Sequence, residues 1–438
     1  MSLIQLAKQR LNENGPVRVA LIGAGKFGSM FLAQVPTIVG LEISVIADLD
    51  PDKVKHGLAA LGWDAGLVAA TKFTNDSVAA IAEDVDVVIE ATGNPVAGAA
   101  HALAAIEAGR HVVMVNVEAD ALLGPILAKK AAQKGVVYSM AYGDQPALIA
   151  EMVDWARSIG MGVAAAGKGT RYMPAYHAMT QNEVWDHFGL TAEEAAEAGM
   201  NPKMFTSFMD GTKSGLEMAA VANACDMGTP ENGLQFPPAG THDLAHILRP
   251  RKLGGQLDGD IGANGRVEVV TDLERDGRDV FGDLRWGVYI VMEAKTDYAA
   301  ACFKQYGFPV DETGRYAPMW KPFHLIGLEL SISVFNAALR GESTGTVTDF
   351  NADVVCTAKR DLNPGDVLDG EGGTMVWGKL MPAKRSLAMK ALPMGLGHGP
   401  KLVKSIKAGE MVTRAHVDMG KTTTAAKLRA ELENSASR

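Results

Sequence analysis

One short stretch constrains the fold more than any other. Val17-Arg18-Val19-Ala20-Leu21-Ile22 is an apolar run that passes directly into Gly23-Ala24-Gly25-Lys26-Phe27-Gly28 and then into a helical stretch, Ser29–Val35. A second apolar run, Ile43–Ala47, ends at Asp48, twenty residues beyond Gly28. Strand, glycine turn, helix, strand and terminal carboxylate in this order make a βαβ unit whose turn suits a dinucleotide. The first glycine permits the tight turn, the second lets a diphosphate approach the backbone, and the third lets helix and strand pack closely. The diphosphate then meets the positive end of the helix. Gly23, Gly25, Lys26, Phe27 and Gly28 are therefore the expected cofactor loop, and Asp48 is expected to accept from the adenosine ribose hydroxyls. A carboxylate there repels a 2′-phosphate, and Leu49-Asp50-Pro51-Asp52 bring no arginine to offset it, which favours NAD over NADP. Without a ligand, the same residues would be only a tight turn.

The alternation continues. Asp86–Ala91, His111–Val115 and Val136–Ala141 read as buried strands, and Ala99–Ala108 as an alanine-rich helix stopped by Gly109. Strands alternating with helices predict an α/β fold with a Rossmann-type, doubly wound parallel sheet and ligands at the carboxyl ends of its strands. Those ends place Thr92, Gly93, Asn94, Asn116 and Glu118 on the nicotinamide side, with Asp144 nearby. Each could equally cap a helix, Asn94 before Pro95 above all.

The remainder divides into two further regions. Residues 1–150 are expected to form the NAD(P)-binding domain. Residues 151–343 are expected to form an α+β catalytic and dimerisation domain whose helix 324–340 returns to the first. Residues 344–438 are expected to form a β-rich module beyond a linker, Gly341–Gly345, because short β segments alternate there with turns such as Asn363-Pro364-Gly365. A chain of 438 residues is long enough for such cores. Net charge is −9 and no basic stripe is visible, which argues against nucleic-acid binding. Cys225, Cys302 and Cys356 lie far apart, as reduced thiols of a cytoplasmic protein would, and no apolar stretch reaches membrane-spanning length.

Hydride chemistry at a carbonyl or alcohol needs a group that exchanges the hydroxyl proton and stabilises the developing alkoxide. Lys168, between Gly167 and Gly169 after the strand Gly162–Ala166, is placed to extend into a cleft. Asp210 has helix N-cap chemistry ahead of Gly211–Ala224, with Lys213 in the first turn and Glu217 at i+4. A first-turn lysine opposes the helix dipole, which suits an acid/base role. An exposed Lys213–Glu217 surface pair is the bland alternative. Lys321 could hold an anionic substrate group and His324 could assist proton transfer. His242 and His246 have metal-ligand spacing without an evident third ligand, so no metal site is expected.

These residues together resemble the deoxyxylulose-phosphate reductoisomerase-like enzymes, relatives of homoserine dehydrogenase with a C-terminal SAF domain. The resemblance rests on Gly23-Ala24-Gly25, Ile89-Glu90-Ala91-Thr92-Gly93, Val115–Asp120, Gly143-Asp144-Gln145-Pro146, Ala166-Gly167-Lys168-Gly169, Asp210-Gly211-Thr212-Lys213, Glu217–Ala220 and Lys321–Leu325, with Ala358–Gly365 and Ile406–Glu410 in the SAF-like part. It implies a homodimer or higher homo-oligomer and an active site between the cofactor and middle domains. The type enzyme of that group uses NADPH and carries arginines where this chain has Asp48-Leu49-Asp50. It carries a second lysine where this chain has Thr170, an arginine at Lys321, and an Asp-Glu pair where this chain has Asp144-Gln145. The expectation is an NAD(P)-dependent oxidoreductase acting on a small polyol, sugar acid or keto-sugar, phosphorylated or not, with or without coupled isomerisation. The alternatives are deoxyxylulose 5-phosphate reductoisomerase activity and, from another class, a non-catalytic nucleotide-sensing or carbohydrate-binding protein.

Overall fold

The computed structural model describes residues 1–197, 200–257 and 264–436. The chain packs into two compact units. The first comprises residues 1–148, 324–348 and the stretch from 427 onward; the second comprises 149–323 and 349–426.

In the first unit, helix α1 (Leu3–Asn14) precedes strand β1 (Val17–Ile22), α2 (Lys26–Gln34), β2 (Leu41–Ala47), α3 (Pro51–Gly57), α4 (Ala65–Ala70), β3 (Lys72–Thr74) and α5 (Ser77–Ala82). There follow β4 (Val87–Glu90), α6 (Pro95–Glu107), β5 (His111–Met114), α7 (Val117–Lys134), β6 (Tyr138–Met140) and α8 (Gln145–Ser158), which runs on into the second unit. The six strands form one sheet in the order β3-β2-β1-β4-β5-β6, and every pairing is parallel. This is the doubly wound order, and the direction of winding reverses between β1 and β4. Five of the six β1 residues are buried, as expected of a strand covered on both faces.

The second unit holds β7 (Gly162–Thr170), α9 (Ala192–Glu197), α10 (Pro202–Met209), α11 (Thr212–Ala224), α12 (Leu244–Ile247), β8 (Arg266–Thr271), β9 (Val288–Glu293), α13 (Asp297–Gln305) and β10 (Tyr316–Lys321). Its four-stranded sheet runs β10-β9-β7-β8, with only β7 and β8 parallel. The chain then returns to the first unit as α14 (Ser331–Arg340). Next come β11 (Ala352–Ala358), β12 (Val367–Asp369), β13 (Val376–Pro382), α15 (Ala383–Met389), β14 (His398–Leu402) and β15 (Val417–Asp418), in two small antiparallel sheets, β11-β13 and β12-β14-β15. Helix α16 (Thr424–Ala436) ends the described chain.

The first unit's core explains why α14 belongs to it. Leu330, Val334 and Phe335 are buried in one cluster with Leu21, Phe31, Ile89 and Val113. Burial of each of these three contributes about 1.5–3 kcal/mol. Residues Gly341–Gly345 are not a free linker. Met140 N donates to Gly345 O at 2.8 Å, and Thr344 Oγ1 donates to Met140 O at 2.9 Å. The edge strand β6 has backbone groups that need partners, and this segment supplies them. In α16, Arg429 is fully buried, with Nη1 donating to Leu122 O at 3.3 Å and Nε to Glu433 Oε1 at 2.8 Å. Among the described residues, no helix is long and apolar enough to cross a membrane.

Candidate active site

In the first unit, β1 hands over to α2 through Gly23, whose φ of +92° only glycine adopts freely. A Cβ there would also lie 2.8 Å from the Ala91 backbone at the end of β4. Gly25 is the N-cap of α2, and a Cβ built on it would meet nothing within 4 Å, so its backbone faces open space. At Gly28 a Cβ would lie 2.6 Å from Gly23 O, which is the close helix–strand approach. The helix begins at Lys26 rather than Ser29, because Ser29 N already donates to Gly25 O at 2.8 Å. Lys26 is exposed and Phe27 half-buried in that first turn, where backbone N–H groups have no partner within the helix. Asp48 closes the cradle. Its Oδ2 accepts from Ala24 N at 2.8 Å and its Oδ1 from Asp50 N at 3.1 Å. Each carboxylate oxygen keeps a second lone pair for a ribose hydroxyl. Open backbone at a helix start and a carboxylate tied to the same loop fit a dinucleotide.

The far side of the switch point is a packed polar network. Thr92 Oγ1 donates to Glu90 Oε1 at 2.6 Å, and His101 Nδ1 lies 3.1 Å from the same oxygen. Asn94 caps α6, accepting from Val96 N and Ala97 N at 3.0 Å. Asn116 caps α7 through Ala119 N and donates to Asn94 O at 2.9 Å. These two asparagines hold the Thr92-Gly93-Asn94 loop in shape, with Glu118 buried just behind in α7. Glu90 has no solvent exposure and anchors the loop. Sequence reasoning passed over it, although a carboxylate closing an apolar strand is a visible signal. Asp144 is half-buried and accepts from Gln145 N at 2.9 Å.

In the second unit the lysine expected on a loop lies inside a strand. Lys168 sits in β7, opposite Val269 of β8 and Val288 of β9. Its flanking glycines are there for a different reason from the one the sequence suggested. A side chain on Gly167 or Gly169 would collide with the carbonyl of Glu268 or Leu284. The Lys168 ammonium meets the Glu217 carboxylate of α11, and the two side chains are 9% and 5% exposed. Glu217 therefore pairs with Lys168 rather than standing with Lys213 as a surface pair. Lys213 lies half-buried in the first turn of α11, whose other residues up to Asn223 are buried.

Asp210 also differs from its expected role. The N-cap of α11 is Gly211, and Asp210 ends the preceding α10. Its carboxylate still accepts from Thr212 N at 2.9 Å, but its ion-pair partner is Lys359 at 2.8 Å, with both side chains at most 1% exposed. A fully buried, paired carboxylate cannot touch a substrate. Lys321 ends β10 and pairs with Glu151 at 3.6 Å, while His324 is half-buried in the first unit.

Two groups went unnoticed in the sequence. Burial pushes the Glu268 carboxyl up to about 7, although Gln235 N, Phe236 N and Val269 N all donate to it. His177 stacks on Trp377 with ring centroids 3.8 Å apart, and burial lowers its pKa, favouring the neutral ring. His246 lies 3.1 Å from Glu312, and the His242 ring packs 6.1 Å from Trp320. Among the described residues, no group of three or more His, Cys, Asp or Glu is arranged to hold a metal.

Two family models match the chain. Residues 23–140 match the NAD-binding domain of homoserine dehydrogenase, and residues 143–330 match the catalytic domain of oxidoreductase DRL. The chain thus carries an oxidoreductase catalytic domain and a domain for an NAD-type cofactor. No curated protein matches it. Among solved structures, apo scyllo-inositol dehydrogenase from Lactobacillus casei is 14% identical, over 36% of this chain and 46% of that one, with a TM-score of 0.27. An inositol dehydrogenase homolog from Azotobacter vinelandii, complexed with NAD+, is 20% identical over 37% of this chain and 43% of that one, with a TM-score of 0.27. The WlbA dehydrogenase from Bordetella pertussis, in complex with NADH and UDP-GlcNAcA, is 20% identical over 36% of this chain and 46% of that one, also with a TM-score of 0.27. This chain spans somewhat under half the length of each of these three.

Proposed function

We propose that the protein transfers a hydride between NAD and a small polyol, sugar acid or keto-sugar, phosphorylated or not. The observation that carries this reading is the buried Lys168–Glu217 pair between β7 and α11 of the second unit. A lysine side chain held against a carboxylate, out of bulk water, is a strong donor to a carbonyl or alkoxide oxygen. Lys168 would polarise that oxygen and exchange its proton, Glu217 would hold the ammonium in place, and Lys213 would add a second positive charge. Asp144, Lys321 and His324 are the candidates for orienting the substrate. The nicotinamide supplies the hydride acceptor or donor when bound. The Gly23–Gly28 loop would take its diphosphate and Asp48 its adenosine ribose, which favours NAD over NADP, and the Thr92–Asn94 loop, Asn116 and Glu118 would line its nicotinamide side.

We further read residues 344–438 as the SAF-like module, the assembled protein as a homodimer, and its location as cytoplasmic, which suits three free cysteines. The test is a screen of polyols and sugar acids with both nicotinamide cofactors, with deoxyxylulose 5-phosphate and NADPH included to probe the reductoisomerase alternative. Lys168→Met and Lys213→Ala are expected to keep NAD affinity and to lose about 10²–10⁴ in turnover on the substrate found. Undiminished turnover in either variant removes that lysine from the mechanism.

A further inference from the structure

Helix α11 carries Lys213 and Glu217, and its first turn is gripped by segments that lie far along the chain. We propose that Lys359 is a positioning residue for this site: paired with Asp210, it fixes the first turn of α11 and with it the placement of Lys213 and Glu217. The proposal rests on the reading that α11 is part of the catalytic site.

Lys359 follows β11 directly, and its side chain is 1% exposed. Its ammonium lies 2.8 Å from Asp210 Oδ2 and donates to Met179 O at 2.7 Å and Gly373 O at 2.8 Å. Two of its N–H groups are taken by backbone carbonyls, and its charge faces the Asp210 carboxylate in an ion pair. It is therefore no reagent; its effect passes through Asp210. The other Asp210 oxygen takes Thr212 N, a first-turn donor with no partner inside the helix. Two more ties converge on the same turn. Gly378 N of β13 donates to Thr212 Oγ1 at 2.8 Å. His177 Nδ1 donates to Asp210 O at 2.7 Å while its ring lies on Trp377 of β13.

The joint being held turns on a single buried glycine. Gly211 separates α10 from α11 at φ +88°, and a Cβ there would stand 3.3 Å from both His177 Cε1 and Phe236 Cζ. A buried ion pair is a poor way to gain stability, since well-packed apolar residues of like volume often do as well. What it adds is direction. A carboxylate paired on one side with an ammonium and bonded on the other to a helix N–H defines where the helix starts.

The test uses the full chain, and its exchange and labelling readouts need no substrate. Amide hydrogen exchange is followed in peptides covering 210–217, with 17–48 as control. In Lys359→Met, exchange over 210–217 is expected to rise at least about tenfold while 17–48 is unchanged. The rate at which acetic anhydride labels Lys213 relative to the exposed Lys26 is expected to change about threefold or more, because the amine's surroundings move with the turn. The double variant D210N/K359Q exchanges both ions for amides that can still bond, and is expected to recover most of both signals. If Lys359→Met does not fold, Asp210→Asn is read in the same way. Exchange that is unchanged, or raised evenly through 149–323, overturns the proposal. So does a Lys213 to Lys26 ratio that stays at its wild-type value. A shifted ratio alongside a fully active Lys213→Ala would instead leave the clamp standing and refute the catalytic reading of Lys213.

Discussion

Replacing Asp120 with asparagine should stabilise the first unit near neutral pH far more than in acid. Asp120 lies in the first turn of α7 and is 2% exposed. Its Oδ1 accepts from the Tyr138 hydroxyl at 2.7 Å, while its Oδ2 has no hydrogen-bond partner among the described residues. Burial pushes the carboxyl from 3.8 up to about 7, and the Tyr138 bond offsets only part of this. The folded protein therefore keeps a proton that the unfolded chain has already lost. Stability from this group is fully present below the unfolded value and drains away as pH rises toward the folded one. Integrating between the two values gives a loss of about 2.5 kcal/mol between roughly pH 5 and pH 7.5. Asparagine does not titrate, so the variant should gain that much on wild type over the same interval. Because the chain has two units, a single melting curve is a poor gauge. The better assay is exchange of the slowest amides in peptides of α7 and β6, compared at matched pH. Relative protection in the variant should grow by roughly 50- to 100-fold across the interval. A pH-independent difference, or one of opposite sign, would refute the assignment of a buried, proton-holding carboxyl.

Two further outcomes bear on the cofactor cradle. Gly28→Ala places a Cβ 2.6 Å from Gly23 O, so helix or loop must shift, and NAD affinity by calorimetry should fall at least about tenfold; wild-type affinity would mean the close approach is dispensable. Asp48→Ser removes the charge that repels a 2′-phosphate, so the NADPH to NADH affinity ratio from fluorescence titration should rise by about tenfold or more, and an unmoved ratio would show that Asp48 does not select the cofactor.

The parts of the fold that were legible are those dictated by local chemistry. Val17–Ile22 was read to the residue, because an apolar β-branched run that passes straight into glycine leaves little choice. The doubly wound sheet followed from the alternation, and the cap that Asn94 makes was the alternative to which the following proline pointed. What escaped was set by distant partners. Gly167 and Gly169 look like a loop in sequence, yet they are small because the backbone at Glu268 and Leu284 runs against them. Glu217 seemed to face Lys213 at helical spacing, but a lysine in a neighbouring strand takes it. Nothing near Asp210 announces Lys359, and the Gly341–Gly345 stretch carries linker composition although it completes the edge of a sheet. Pattern recognition sees periodicity and punctuation; it does not see which buried charge will neutralise which.

Because the first unit is assembled from three separated stretches, it cannot mature in the order in which it is translated. All six strands of its sheet have been synthesised by residue 140, but α14, which packs in one cluster with Leu21, Phe31, Ile89 and Val113, arrives only with residues 331–340. At ordinary translation rates that interval lasts on the order of 10–40 s. Throughout it the nascent sheet carries a bare oily flank, a natural station for chaperones, and a ribosome that stalled in the middle of the message would release an aggregation-prone fragment.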